Sequence, residues 1–273
     1  MNRNWTKASL DTGRSNIHYY RAGSRSNSPL VLVHGFSDDG LCWEPVAENL
    51  KNDFDVIMPD MHGHGFSGRY LPGTEIDMAS DLAVLIKKLD LRKPVVCGHS
   101  MGAMASFKLA VEYPDLPGML VLEDPPWKLP SEDPGENPAE GITAWARSLS
   151  EKTYEQLIQE CRAENPHWPE ITIRNMCASK KRLDQNIIGP LSEKVSGNFT
   201  GWLRTVSDIK FPVLLITADP ALGAIVTPET ARKAAGLNPM IRLANIPDTG
   251  HLIRYDKFDA YMKVLRSFLE DNI

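Results

Sequence analysis

Short apolar runs recur along the 273-residue chain, at residues 29–33, 54–59, 94–97, 118–122, 212–217 and 240–246. The plainest of them, Pro29-Leu30-Val31-Leu32-Val33, lacks the polar–apolar alternation of a strand with one wet face. Unbroken runs suit strands buried on both sides of a parallel sheet. Helical patterns lie between them: over residues 77–89, Leu82, Leu85, Ile86 and Leu89 fall on one stripe. Ahead of the first run, residues 5–10 and 16–22 are β-rich and flank a turn at Asp11-Thr12-Gly13, the pattern of an antiparallel edge hairpin. Strand–helix alternation of this kind predicts an α/β chain with a doubly wound, mostly parallel eight-stranded sheet.

The alternation stops after Leu122. Pro125, Pro126, Pro130, Pro134 and Pro138 mark an irregular exit, followed by helical stretches at 142–149, 154–163 and 171–188 with a break at Asn165-Pro166-His167-Trp168-Pro169. Trp127, Trp145, Trp168 and Trp202 argue against disorder here, because disordered segments lack aromatics. The expected organisation is a core over 1–124 and 209–273 with a helical cap, 125–208, inserted after the sixth strand.

The chemistry centres on Gly98-His99-Ser100-Met101-Gly102. An apolar strand precedes it, and residues 103–111 follow at helical spacing. A strand that turns abruptly into a helix puts the residue at the turn under strain, and the flanking glycines let the two elements pass closely. Ser100 is thereby offered above the sheet as a nucleophile. A serine hydroxyl needs a base at neutral pH and a group that orients the base. Of seven histidines, His251 sits in a Gly-His loop after the last strand. His18 falls in the edge hairpin, His62 and His64 in a Gly-rich loop, His167 in the insertion, and His99 is expected to diverge from its neighbour in the turn.

With His34-Gly35-Phe36, residues 60–67, the Gly98–Gly102 turn and Gly250-His251 in view, the chain resembles the α/β-hydrolase fold family, of the serine esterase/lactonase type with a cap between strands six and seven. The resemblance covers almost the whole chain, the cap by position only. It implies Ser100 as nucleophile, His251 as base, and the Phe36 and Met101 backbone N–H groups as oxyanion donors. His34 would brace the oxyanion loop, and residues 60–67 would form a structural loop beside it. Serine at the turn argues against the related dehalogenases and epoxide hydrolases, whose nucleophile is aspartate. The acid departs from the family's pattern: the usual slot after strand seven holds Ala221, with Asp219 displaced from it. Asp124, which ends strand six directly, is the other carboxylate in reach of a strand end, and register favours it. Both remain open at this point.

The reading is a cofactor-free, metal-free carboxylesterase or lactonase for a small, fairly apolar ester, with Trp127 and Trp145 lining the pocket. Carbon–carbon bond hydrolases, perhydrolases and aminopeptidases share the triad. A free-amine substrate would call on Glu132, Asp133 and Glu136, whose simpler role is a solvated loop face. A hydrolase-derived small-molecule receptor is the alternative of another class. A net charge of −5 leaves no basic footprint for nucleic acid. Four cysteines without metal-ligand spacing fit a reducing compartment, with Cys97 a small core residue. No apolar leader and no membrane-length run are present, so a cytoplasmic protein is expected. Oligomeric state is left open by the sequence.

Overall fold

The computed structural model describes residues 5–132, 137–197 and 200–273. Residues 1–4, together with Asp133, Pro134 and Glu136, lie outside them. One eight-stranded sheet organises the chain: β1 (Thr6–Asp11), β2 (Asn16–Ala22), β3 (Ser28–Val33), β4 (Phe54–Pro59), β5 (Val95–His99), β6 (Met119–Glu123), β7 (Val213–Thr217) and β8 (Ile241–Asn245), in spatial order β1-β2-β4-β3-β5-β6-β7-β8. The hairpin β1–β2 and the β2–β4 pair are antiparallel, and every later pair is parallel.

The helices are α1 (Glu44–Leu50), α2 (Met78–Lys88), α3 (Met101–Glu112), α4 (Pro138–Glu151), α5 (Tyr154–Glu164), α6 (Glu170–Arg182), α7 (Ile188–Ser196), α8 (Pro228–Leu237), α9 (Ile253–Asp256) and α10 (Phe258–Glu270). They cover both faces, which is why the central strands are apolar throughout. Along β3, Val31 and Val33 pack into one core with α2, α3 and α8, whereas Leu30 and Leu32 pack into the other with α1 and α10. The period-2 alternation of side chains thus divides one apolar run between two cores.

Four helices, α4 to α7, lie between β6 and β7. The helix expected over residues 171–188 is in fact two. After Arg182 the chain turns through Asp184, whose Oδ1 accepts from Asn186 N–H (3.0 Å) and whose Oδ2 accepts from Tyr70 N–H (2.7 Å), before α7 begins. An aspartate that bonds its own downstream backbone competes with the helix there. Helices α5 and α6 add Leu157, Ile158, Ile173 and Cys177 to one core, while α7 adds Ile188, Leu191 and Val195 to the other.

Strand β4 lies on one side of β3, and the chain then crosses over to β5 on the other. At such a switch point the connections leave in opposite directions and open a crevice beyond the strand ends. Register aligns Val33 with Gly98, and His99 with Glu123. The residues that follow, His34, Ser100 and Asp124, therefore emerge along the same carboxyl edge.

Candidate active site

Ser100 adopts φ 52°, ψ −119°, left-handed backbone rarely held by a residue with a side chain. The neighbouring glycines account for the rest of the turn. A Cβ on Gly98 would meet the Gly102 carbonyl, and one on Gly102 would meet the Val33 and His34 carbonyls. The turn is anchored by Ser100 N–H, which donates to the Glu123 carbonyl (2.9 Å). Helix α3 begins at Met101, so the Met101 N–H belongs to the first turn, whose donors have no intrahelical acceptor.

Asp124 is fully buried, at φ 41°, just beyond β6. Its Oδ1 accepts from Val226 N–H (2.9 Å), and its Oδ2 from Ile225 N–H (2.8 Å) and His251 Nδ1 (2.6 Å). Because the carboxylate can only accept, the His251 proton sits on Nδ1, and Nε2 keeps its lone pair. The Gly-His pair has its own steric reason: a Cβ on Gly250 would collide with the Leu222 carbonyl.

Ser100, Met101, Phe36 and His251 line one cavity of about 650 Å³, walled on its far side by residues of α4, α5 and α6, among them Trp145, Leu149, Leu157, Cys161, Met176 and Cys177. The Phe36 and Trp145 rings lie 6.3 Å apart. Trp127 is elsewhere, contrary to expectation. It is 2% exposed, stacked on Trp202 at 4.9 Å and set edge-on to Phe107 at 5.0 Å, beside a separate cavity of about 220 Å³. The indole is large enough to satisfy the core of α3, and that burial takes it away from Ser100.

Of the two carboxylates left open by the sequence, Asp124 touches His251. Asp219 instead caps the short turn Pro220–Leu222, its Oδ1 accepting from Ala221 N–H (2.9 Å). Glu132 is not a freely solvated group: it accepts from Leu129 N–H (2.7 Å) and Thr230 Oγ1 (2.9 Å), tying the exit loop to α8.

His99 also departs from expectation. Its ring does not diverge but lies 4.6 Å from the His251 ring, and its Nε2 donates to the His251 carbonyl (3.0 Å). Burial, reinforced by Arg254 and His251, keeps this imidazole well below the usual histidine pKa. A neutral ring can thus lie against His251 without placing a second cation there.

Around this floor the sequence reading of the loops agrees with the geometry. His34 Nδ1 bonds the Gly35 carbonyl (2.8 Å), and its Nε2 accepts from Met61 N–H (2.9 Å), joining the loops after β3 and β4. Asp60 accepts from Gly40 N–H, Phe66 N–H and His18 Nδ1, which makes residues 60–67 a braced loop. No cluster of metal-ligating side chains occurs among the described residues. Nor is any helix among them long and apolar enough to cross a membrane.

Behind the site lies a buried pair that no sequence motif marks. Glu123 accepts from Arg254 N–H (3.1 Å) and Arg254 Nη1 (3.0 Å), and the guanidinium stacks 4.0 Å over Trp43. It ties the segment just after His251 to the end of β6, directly before Asp124. An acid directly before Asp124 and an arginine three residues after His251 were the available signals. Asp38, on the cavity wall, meets Lys180 of α6 at 2.8 Å. Burial alone would raise its pKa, but Lys180 and Arg254 outweigh burial and hold Asp38 below the usual range.

Known proteins bear the same frame. A model of the alpha/beta hydrolase fold matches residues 28–258. N-formylmaleamate deformylase of Pseudomonas putida is 26% identical over 93% of this chain and 92% of its own length. The 2-(acetamidomethylene)succinate hydrolase of Mesorhizobium japonicum is 26% identical over 96% of this chain and 94% of its own. The crystal structure of an E-2-(acetamidomethylene)succinate hydrolase superposes with a TM-score of 0.82 at 20% identity, covering 98% of this chain and all of that one. With the family model spanning most of the chain and the strand order, turn and helices in agreement, this protein is a hydrolase belonging to the alpha/beta hydrolase fold family.

Proposed function

We propose that the chain is a serine hydrolase that cleaves a small acyl compound, a carboxylic ester or lactone in the first reading, through an acyl-enzyme. The observation that carries this is the His251 Nδ1···Asp124 contact of 2.6 Å on the wall of a cavity that also presents Ser100. In this scheme Ser100 Oγ attacks the acyl carbon while His251 Nε2 takes its proton. Charge gathers on the former carbonyl oxygen, for which the N–H groups of the cavity residues Met101 and Phe36 are the proposed donors. His251 returns the proton to the leaving group, then draws one from water as that water releases the acyl group from Ser100. Asp124 holds the tautomer throughout. Residues 125–208 act as the cap, and its apolar wall selects the acyl or leaving group.

A second reading has a specific support. The two relatives that match over nearly their full length are named as a deformylase of N-formylmaleamate and a hydrolase of 2-(acetamidomethylene)succinate. Both names describe N-acyl compounds, so an amide-type acyl bond is the alternative substrate for the same machinery. A panel of p-nitrophenyl acetate and butyrate, small lactones, and N-formyl and N-acetyl amides of small carboxylic acids tests both. Multiple turnovers lost in Ser100→Ala support the hydrolase, and the best substrate class decides the bond. A single turnover that leaves a stable adduct with a thermal shift would overturn the enzyme in favour of a receptor.

A further inference from the structure

Two thiols that the proposed chemistry does not use share a wall of the same cavity. Cys161 lies on α5 and Cys177 on α6, two helices packed against each other, and both cysteines line the cavity that holds Ser100 and His251. Both are free cysteines. Their surroundings differ. Cys177 is 3% exposed, whereas Cys161 is half-buried and reachable from the cavity. Asn165 Nδ2 approaches the Cys161 sulfur at 3.9 Å, and Lys180 lies one turn beyond Cys177 on α6.

These contacts set an order of reactivity. The neighbouring Cys177 thiol outweighs burial and, with Asn165 and the Lys180 charge, holds Cys161 below the ordinary thiol range. Cys161 in turn, followed by burial, pushes Cys177 up. The thiolate is the form that reacts with peroxides, and an accessible, acidified thiol beside a second thiol has the means both to react and to be resolved. The other two cysteines lack this. Cys42 and Cys97 are buried in the core, and burial pushes the Cys97 thiol to about 12.

We propose that Cys161 and Cys177 form a peroxide-reactive dithiol in the cavity wall, closing to a disulfide that ties α5 to α6. The Cys161 thiolate attacks one oxygen of hydrogen peroxide, the O–O bond breaks, and the departing hydroxide takes up the proton lost by the thiol, leaving water and a Cys161 sulfenic acid. The Cys177 sulfur then attacks the Cys161 sulfur. The S–S bond forms, the S–O bond breaks, and the oxygen leaves as water with the Cys177 proton. Two thiols give up two electrons, and one peroxide becomes two waters. A dithiol reductant returns both thiols. The device is compatible with a reducing compartment, where disulfides are transient and sensing.

The full-length protein is treated with a small excess of hydrogen peroxide, denatured in N-ethylmaleimide and weighed. Two maleimide adducts should disappear, the chain should be lighter by two hydrogens, and tryptic peptides 153–162 and 175–180 should be found joined. Dithiothreitol should restore four adducts. Cys177→Ser should stop at a Cys161 sulfenic acid that dimedone traps, and Cys161→Ser should keep its Cys177 thiol under the same treatment. The disulfide should form equally in Ser100→Ala, so its formation stands or falls separately from the hydrolase reading. Four maleimide adducts after peroxide, or a cross-link joining any other pair, would overturn the proposal.

Discussion

The floor of the cavity and its wall are built by opposite means. On the floor, the backbone decides position. Eight of the twelve residues of α3 are buried, Ser100 is pinned by Glu123, and three donors hold the Asp124 carboxylate. In the wall, side chains decide. Of the fourteen residues of α4 only Ala146 is buried. The insertion is fastened to the core through α6, where Lys180 meets Asp38, Arg182 meets Asp39, and Asn175 reaches Glu44. A floor fixed by main chain tolerates little change, because each proton must keep its place. A wall made of helices that reach the core through only part of their surface, as α5 and α6 do through Leu157, Ile158, Ile173 and Cys177, has room to be re-cut to fit another substrate. In the proposed mechanism, chemistry and specificity are thus carried by separable parts of one chain.

The largest expected effect tests the floor. Asparagine at position 124 keeps the shape but favours the wrong His251 tautomer, so Asp124→Asn should lower kcat by about 10⁴, the cost of the equivalent change in serine proteases. Asp219→Asn, in the turn, should cost less than about tenfold, since a lost side-chain hydrogen bond of that kind is worth about 1 kcal/mol. Steady-state kinetics on folded variants decides, and the reverse ranking would move the acid to Asp219.

The tryptophans divide between the two regions. Trp127→Ala opens a void beside Trp202 and Phe107 and should destabilise the fold by about 3–5 kcal/mol in denaturant unfolding. Trp145 is 47% exposed in the cavity wall. Trp145→Ala should shift acyl-chain preference while changing stability by less than about 1 kcal/mol. Equal stability losses would mean that the wall is as tightly packed as the floor.

Acid should act through the loops beneath the floor. Burial lowers the His64 pKa to about 3, from 6.5. Below pH 6.5 the unfolded chain takes up a proton there that the native chain refuses, so stability falls with pH until about 3. The slope for one such histidine is about 1.4 kcal/mol per pH unit. Asp39, raised to about 6 first by burial and then by Asp60, works in the opposite sense, so the informative quantity is a difference. His64→Asn should flatten the stability–pH curve between pH 6 and 4 by about that slope. Parallel curves would show that His64 is protonated in the native state.

The smallest effect is a gain. A Cβ on Gly141 of α4 meets nothing within 4 Å, so Gly141→Ala should raise stability by up to about 1 kcal/mol through helix propensity alone. At Gly98, where the Gly102 backbone already occupies the space, alanine should destabilise. Loss of stability at both positions would erase the contrast between wall and floor.

The frame was legible because strand runs and turn glycines report local physics. The apolar run at residues 54–59 coincides with the strand they form, and the Gly98–Gly102 spacing implies the close passage of β5 and α3. Three features were not legible. His99 lies against His251 because of how the loop after β8 returns over the β5 end, a contact between residues far apart in the chain. Trp127 looked like a pocket residue by position, and only the packing of Trp202 shows why it is core. The choice between Asp124 and Asp219 rested on which carboxylate the His251 loop reaches, which strand register favoured but chain order could not decide.

The central claim is that Ser100, activated by His251, is the nucleophile of this cavity. Incubation with a fluorophosphonate followed by peptide mapping tests it directly. A single phosphonyl adduct on Ser100, absent from folded Ser100→Ala and formed far more slowly in His251→Ala, is the predicted result. A folded Ser100→Ala protein that still takes the label, or still turns over the best substrate at the wild-type rate, would contradict it.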